Sequence, residues 1–148
     1  MHDQPTAMKV AVDAAWPAWL KAEFAANARN PRVGSRLLSQ SDRVRVWHID
    51  LAPGERLPVH CHVLDYFWTA LGPGRARSHY QDGRTQERDY RAGDTAHYRF
   101  GPGELMLHDL ENIGGAALAF TTVEFLDSAN APLPLPLPAE VGPDRSAA

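Results

Sequence analysis

Only one cysteine occurs in the 148 residues, Cys61, so no disulfide can form within the chain. A lone thiol suits a reducing compartment and leaves the fold to be held by a hydrophobic core. Basic charge is not in surplus either: 15 lysines and arginines face 18 acidic residues, a formal net charge of -3. A chain of that balance is poorly equipped to neutralise phosphates, which excludes nucleic acid as the expected partner. Long apolar runs are missing. No stretch approaches the roughly 18 residues that a membrane helix needs, and Met1-His2-Asp3-Gln4-Pro5 lacks the basic and apolar regions of a secretory signal. The expectation is a cytoplasmic protein with no membrane partner.

What is present reads as one soluble globular unit, with 44% hydrophobic and 22% charged residues in a chain of single-domain length. Residues 16–27 predict a short helix, with Pro17 in its first turn. Trp16, Leu20 and Phe24 recur every four residues and form an apolar stripe, so this helix should pack on the outside of whatever follows. From residue 35 the texture changes to short segments rich in valine, tyrosine and threonine, at 35–39, 43–51, 56–62, 66–71, 75–81, 85–90, 95–100, 105–109 and 117–126. Turn signals such as Pro53-Gly54, Asp82-Gly83, Gly93-Asp94 and Gly114-Gly115 separate them, as expected of an antiparallel barrel or sandwich rather than βαβ units. The run 131–138 alternates proline with leucine and predicts an extended arm lying along its own or a neighbouring subunit.

The chemistry concentrates in Gly54-Glu55-Arg56-Leu57-Pro58-Val59-His60-Cys61-His62 and in His108-Asp109-Leu110-Glu111-Asn112. A strand sends alternate side chains to one face, so His60 and His62 point the same way with Cα atoms roughly 6.5 Å apart. Two neutral imidazoles at that separation can grip one ion, while Cys61 between them points away. These residues resemble the two motifs of the cupins: Gly54, a five-residue spacer and His60-x-His62, then His108 three residues short of Asn112. Ile113-Gly114-Gly115-Ala116 and the strand after it look like the turn and final strand that follow in that family. The resemblance covers roughly residues 35–127.

The resemblance implies an all-β fold, an antiparallel double-stranded β-helix or jelly-roll barrel, here with a short N-terminal helix. It divides the chain into an N-terminal segment (1–34), the barrel (35–127) and a proline-rich tail (128–148). It also implies His60, His62 and His108 as metal ligands. Two departures matter. No glutamate follows the second histidine at the family's spacing, so the acidic slot falls on Asp65 or on no acid at all. The approach from Gly93 to His108 is longer than the family pattern, which leaves Glu104 as a second reserve ligand. Inward and outward faces depend on register, so Tyr66, Trp68, His97 and Arg99 are candidates for the substrate pocket, with Arg56 and Tyr98 beside them.

Imidazole suits Fe(II), Ni(II), Cu(II), Mn(II) and Zn(II), and three histidines leave positions open for water, substrate or oxygen. An all-neutral ligand set leaves the ion its full charge and favours an anionic or chelating small molecule. Cupins similar in ligand set, such as cysteine dioxygenase and β-diketone-cleaving dioxygenase, imply an Fe(II)-dependent dioxygenase-type oxidoreductase. A metal-dependent isomerase or decarboxylase and a non-catalytic ligand-binding or sensor barrel are the competing readings. The same resemblance implies a homodimer formed through sheet edges.

Overall fold

The computed structural model describes residues 15–135. One helix, α1 (Ala18–Ala26), precedes nine strands: β1 (Arg36–Gln40), β2 (Val44–Leu51), β3 (Arg56–His62), β4 (Tyr66–Ala70), β5 (Gly74–His79), β6 (Thr85–Tyr90), β7 (Thr95–Tyr98), β8 (Met106–Asn112) and β9 (Leu118–Phe125). They form two antiparallel sheets, a five-stranded one ordered β1-β2-β9-β4-β7 and a four-stranded one ordered β3-β8-β5-β6. Among the described residues no helix is long and apolar enough to cross a membrane.

The inner faces follow the period of two. Along β9, Leu118, Phe120, Thr122 and Glu124 are buried while the residues between them are only half-buried. Opposite them on β2, Arg45, Trp47, Ile49 and Leu51 are buried in the same rhythm. Ile49, Leu57, Leu110, Leu118 and Phe120 join the two sheets into a core at one end of the barrel. Each such side chain withdrawn from water contributes roughly 1.5–3 kcal/mol.

A second cluster lies outside the barrel. Trp16, Leu20 and Phe24 rest on Val59, Cys61 and Leu107, the outward residues of β3 and β8, and Leu133 of the C-terminal arm completes the layer. Trp16 precedes the helix proper, because Pro17 occupies its N-cap, but its ring still stacks on Phe24 at 5.1 Å. The arm therefore lies along its own barrel as far as residue 135, where Leu135 packs on the cluster of Val33, Leu37 and Trp47.

β3 contains an irregularity that the alternation alone does not reveal. In its ladder with β8, Leu57 pairs with Leu110 and His60 pairs with His108, three residues against two. The extra residue is a β-bulge at Pro58-Val59, where proline has no amide to give the ladder. In an unbroken strand Leu57 and His60 would face opposite ways; the bulge lets both face the barrel. The loose backbone groups are taken up by the N-terminal segment. Val59 donates its N–H to Glu23 at 2.9 Å, and its carbonyl accepts from Asn27 and Asn30 at 3.1 and 2.9 Å.

β8 runs to Asn112 rather than ending at residue 109, because Glu111 and Asn112 pair with Arg77 and Ala76 of β5. Asn112 is fully buried, donates to the carbonyls of Leu51 and Ala116 and accepts the N–H of Gly114, so it closes the turn into β9. Its own carbonyl accepts from Gly54, whose φ of +85° suits a glycine at the Pro53-Gly54 turn.

Candidate metal centre and cavity

The register of β3 on β8 places His60 directly opposite His108, and two residues on, the period of two brings His62 to the same face. One ligand atom from each of the three lies within 4.8 Å of the others, and no carboxylate joins this group among the described residues. The His62 and His108 Nε2 atoms are 3.2 Å apart. Adjacent donors around an ion with metal–nitrogen bonds of about 2.0–2.1 Å stand at about that separation.

Hydrogen bonding tells the rings apart. His60 Nδ1 lies 2.8 Å from the Pro58 carbonyl, so it carries the hydrogen and leaves the Nε2 lone pair free. His62 and His108 have no such acceptor: their Nδ1 atoms are buried without a partner. Tyrosine rings orient them instead. Tyr66 stacks on His62 at 4.0 Å and 9°, and Tyr80 lies on His108 at 5.3 Å and 22°. Burial pushes the pKa of His60 down to about 4, against the pull of the Pro58 carbonyl, and holds those of His62 and His108 well below the ordinary value. Three imidazoles are thus neutral and desolvated, two of them have no partner for Nδ1, and one ligand atom from each converges on a common point. Buried polar groups left in that state are costly unless something binds them, and the donor set fits a divalent transition ion.

The triad forms part of the wall of a cavity of about 450 Å³ inside the barrel. Tyr66, Trp68, Tyr80 and Tyr98 line it around the histidines, and Ile49, Leu57, Leu110 and Phe120 line its apolar portion. Tyr66 and Tyr98 stack at 4.6 Å. Burial raises the pKa values of Tyr66, Tyr80 and Tyr98, so their phenols keep their protons at neutral pH and offer hydroxyl donors.

Solved structures with this architecture exist. A cupin domain from Bordetella pertussis Tohama I superposes with a TM-score of 0.54 at 18% identity, covering 66% of this chain and 95% of that one. The chain has the cupin fold. A conserved double-stranded β-helix protein from Klebsiella pneumoniae subsp. pneumoniae MGH 78578 superposes with a TM-score of 0.51 at 20% identity, over 80% of this chain and 95% of its own. Identities this low establish the cupin barrel and leave its chemistry to be read from the site. A Bacillus subtilis oxalate decarboxylase with Mn(II) centres overlaps only 57% of this chain and 22% of its own, with a TM-score of 0.44 and 26% identity, too partial a likeness to bear on the chemistry. No protein-family model matches the chain, and no curated protein matches it.

Several candidates stand elsewhere in the cupin barrel. Asp65 sits in the turn between β3 and β4, where its Oδ1 accepts the Phe100 N–H at 2.9 Å, so it ties two loops together rather than facing the ion site. Glu104 folds back to accept the N–H of Gly101 and closes its own turn. His97 and Arg99 are exposed: on this edge Ala96, Tyr98 and Phe100 take the inner face, the reverse of the alternation that would have put His97 and Arg99 in the pocket. Arg56 also lies outside the barrel, beneath Trp19 of α1, where it binds Glu23 and Asp109. Cys61 packs under the helix, and burial pushes its thiol up to about 11.

Other residues matter that the motifs did not single out. Asp109, next to His108 but on the outer face, is completely buried and accepts from Arg56 at 2.6 Å and from the backbone and ring of His79 at 2.7 and 3.0 Å. Glu124 is buried opposite Arg45 and accepts from the Trp47 indole at 2.8 Å. From β6 and the turn before it, Arg84, Gln86, Arg88 and Tyr90 line the cavity. Their alternation with Thr85, Glu87 and Asp89 was a visible signal.

Proposed function

We propose that this cupin is a small-molecule enzyme whose open metal centre is held by His60, His62 and His108, with Fe(II) as the ion and a dioxygenase-type oxidation as the reaction. The observation that carries the reading is the convergence of three neutral imidazoles, with no carboxylate among them, on a cavity large enough for a small organic molecule. Fe(II) bound there supplies electrons to oxygen chemistry and a template that orients a chelating substrate. The chain's own part is to keep three lone pairs available, to exclude water with Tyr66, Trp68 and Phe120, and to offer hydroxyl donors from Tyr80 and Tyr98.

The test is oxygen uptake by protein purified anaerobically with Fe(II), across thiols, β-diketones, flavonols and short carboxylates. Absence of uptake across the panel defeats the dioxygenase reading for those classes. Metal binding is judged separately, by stoichiometric metal in the unmodified protein that disappears in the His60→Ala, His62→Ala double variant. Protonated phenols beside the triad support a second reading, a metal-dependent isomerase or decarboxylase that turns over the same compounds without consuming oxygen. A homodimer belongs to the proposal as well, since β1 and β7 are edges of the five-stranded sheet. A monomer mass by light scattering at micromolar concentration would remove that part.

A further inference from the structure

Among the described residues the cavity wall contains no aspartate or glutamate, yet two arginines reach it, Arg84 and Arg88. They are not equivalent. Arg84 is tied to Asp82 at 3.0 Å, and its guanidinium lies 4.4 Å from the centre of the Tyr80 ring. Arg88 has no carboxylate partner among the described residues. Its guanidinium carbon lies 5.1 Å from the centre of the Trp68 ring and 5.4 Å from that of Tyr90. Aromatic faces of this kind hold a guanidinium in place without using its N–H groups, so the fork stays free to bind a ligand.

β6 sorts its charges by face. Glu87 and Asp89 turn outward and are taken up by Arg75 and Arg77 of β5, at 2.8–3.0 Å, whereas Gln86, Arg88 and Tyr90 turn to the cavity. No outward acid competes for Arg88. A half-buried cation without a carboxylate partner, in a wall whose described residues include no carboxylate, favours an anionic ligand. One free fork supplies one positive charge in the planar geometry of a carboxylate, with the Gln86 amide two residues away.

Position and surroundings narrow the class further. Arg88 pairs with Ala76, whereas the Arg84 carbonyl meets Tyr80, which bridges to His108. Four residues of strand, about 13 Å of backbone, therefore separate the free arginine from the histidine row. Trp68, Tyr90 and Phe120 stand edge to face between the sheets, with centroids 4.9–5.4 Å apart, and present an aromatic wall beside Arg88. The geometry points to Arg88 as the carboxylate-binding residue of this cavity and to an aromatic monocarboxylate as its ligand class, with the ring against Trp68, Tyr90 and Phe120 and the far substituent towards the histidines. This rests on the cavity being the substrate site of the metal centre, but its test does not need the metal.

The experiment is equilibrium binding of 3-phenylpropionate, 3-phenylpropanamide and phenyl phosphate to the full chain, read by tryptophan fluorescence and calorimetry, with the protein metal-free and then loaded with Zn(II). The acid should bind about 10- to 100-fold tighter than the amide in both forms, the range expected for a charge-assisted hydrogen bond. Arg88→Gln should bring the acid down to the level of the amide, and Arg88→Lys should keep part of the preference. Equal affinities for acid and amide in the unmodified protein, a comparison that needs no variant, overturn the inference. So does a preference that appears only with Zn(II) and survives Arg88→Gln, which would assign the carboxylate to the ion, or a tenfold preference for phenyl phosphate over the acid. If no metal binds the histidines while the Arg88-dependent preference persists, the metal reading fails and this one stands.

Discussion

Glu23 on α1 accepts the backbone N–H of Val59, the residue immediately before His60, at 2.9 Å. The same carboxylate binds Arg56 through both oxygens at 2.9 and 3.1 Å. Burial works to raise the pKa of Glu23, yet the hydrogen bonds from Arg56 and Val59 outweigh it and hold the group below the ordinary carboxylate range. A helix outside the barrel thus fixes the bulge that aims His60 into it. Glu23→Ala should cost about 1–3 kcal/mol in denaturant unfolding, because it leaves the Val59 amide unsatisfied. It should also weaken metal binding, although Glu23 touches no ion ligand. Unchanged metal affinity in a folded variant would show that the bulge holds its shape unaided.

Asp109 is the corresponding anchor on β8. Arg56 and His79 both point at this completely buried carboxylate, so Asp109→Ala leaves the His79 backbone N–H and ring without their acceptor and Arg56 with Glu23 alone. A buried donor left without its acceptor costs about 1–3 kcal/mol. Thermal unfolding should register Asp109→Ala as far more damaging than a change at the exposed Asp89, and a loss below about 1 kcal/mol would contradict this account.

Glu124 predicts a pH dependence of stability. Burial raises its pKa to about 7, with the Trp47 hydrogen bond and Arg45 pulling the other way. From the usual 4.5 to about 7 the folded state keeps a proton that the unfolded chain has released. The stabilisation is therefore complete below about pH 4.5 and is lost as pH rises to about 7, roughly 3 kcal/mol in all. Glu124→Gln keeps an acceptor for Trp47 and cannot ionise. Denaturation midpoints between pH 5 and 8 should fall less steeply for that variant; parallel curves would refute the assignment.

His97→Ala and Arg99→Ala offer a contrast. Both side chains are exposed on the outside of the barrel. Each change should alter stability by no more than about 0.5 kcal/mol and leave metal stoichiometry as it was. Loss of metal in either would mean that the edge beyond β4 is paired in another register.

The difference between Tyr98 and His97 marks what could be read from the sequence. Strand positions were legible, since Thr85–Tyr90 and Arg56–His62 are bounded by turn residues. Which face of a strand turns inward was not, because one residue of slip exchanges the faces and pairing with a distant strand decides between them. The bulge at Pro58-Val59 compounds this, as its register is set by Leu110 and His108, far along the chain. Pro58 was its only local sign.

Asp109 and Glu23 were illegible for a related reason. Asp109 meets Arg56 and His79 across 53 and 30 residues, and Glu23 meets Val59 across 36. A buried acid looks the same in sequence as a solvated one until its partners are placed. The β6 alternation carried more information than was drawn from it, since acids on one face and arginines on the other already separate a wet side from a lined one.

β3 is covered on both sides, by the barrel interior and by the layer of Trp16, Leu20, Phe24 and Leu133. Its outward neighbours hold the backbone of His60 and His62 in place whether or not an ion is present. Coordination therefore does not have to drive folding, unlike in domains that are unstructured until their metal binds. A chelator should leave this barrel folded, and one ion could be exchanged for another in the finished protein. In a cell, the identity of the bound metal would then follow the supply of ions over the lifetime of the protein rather than the moment of its folding.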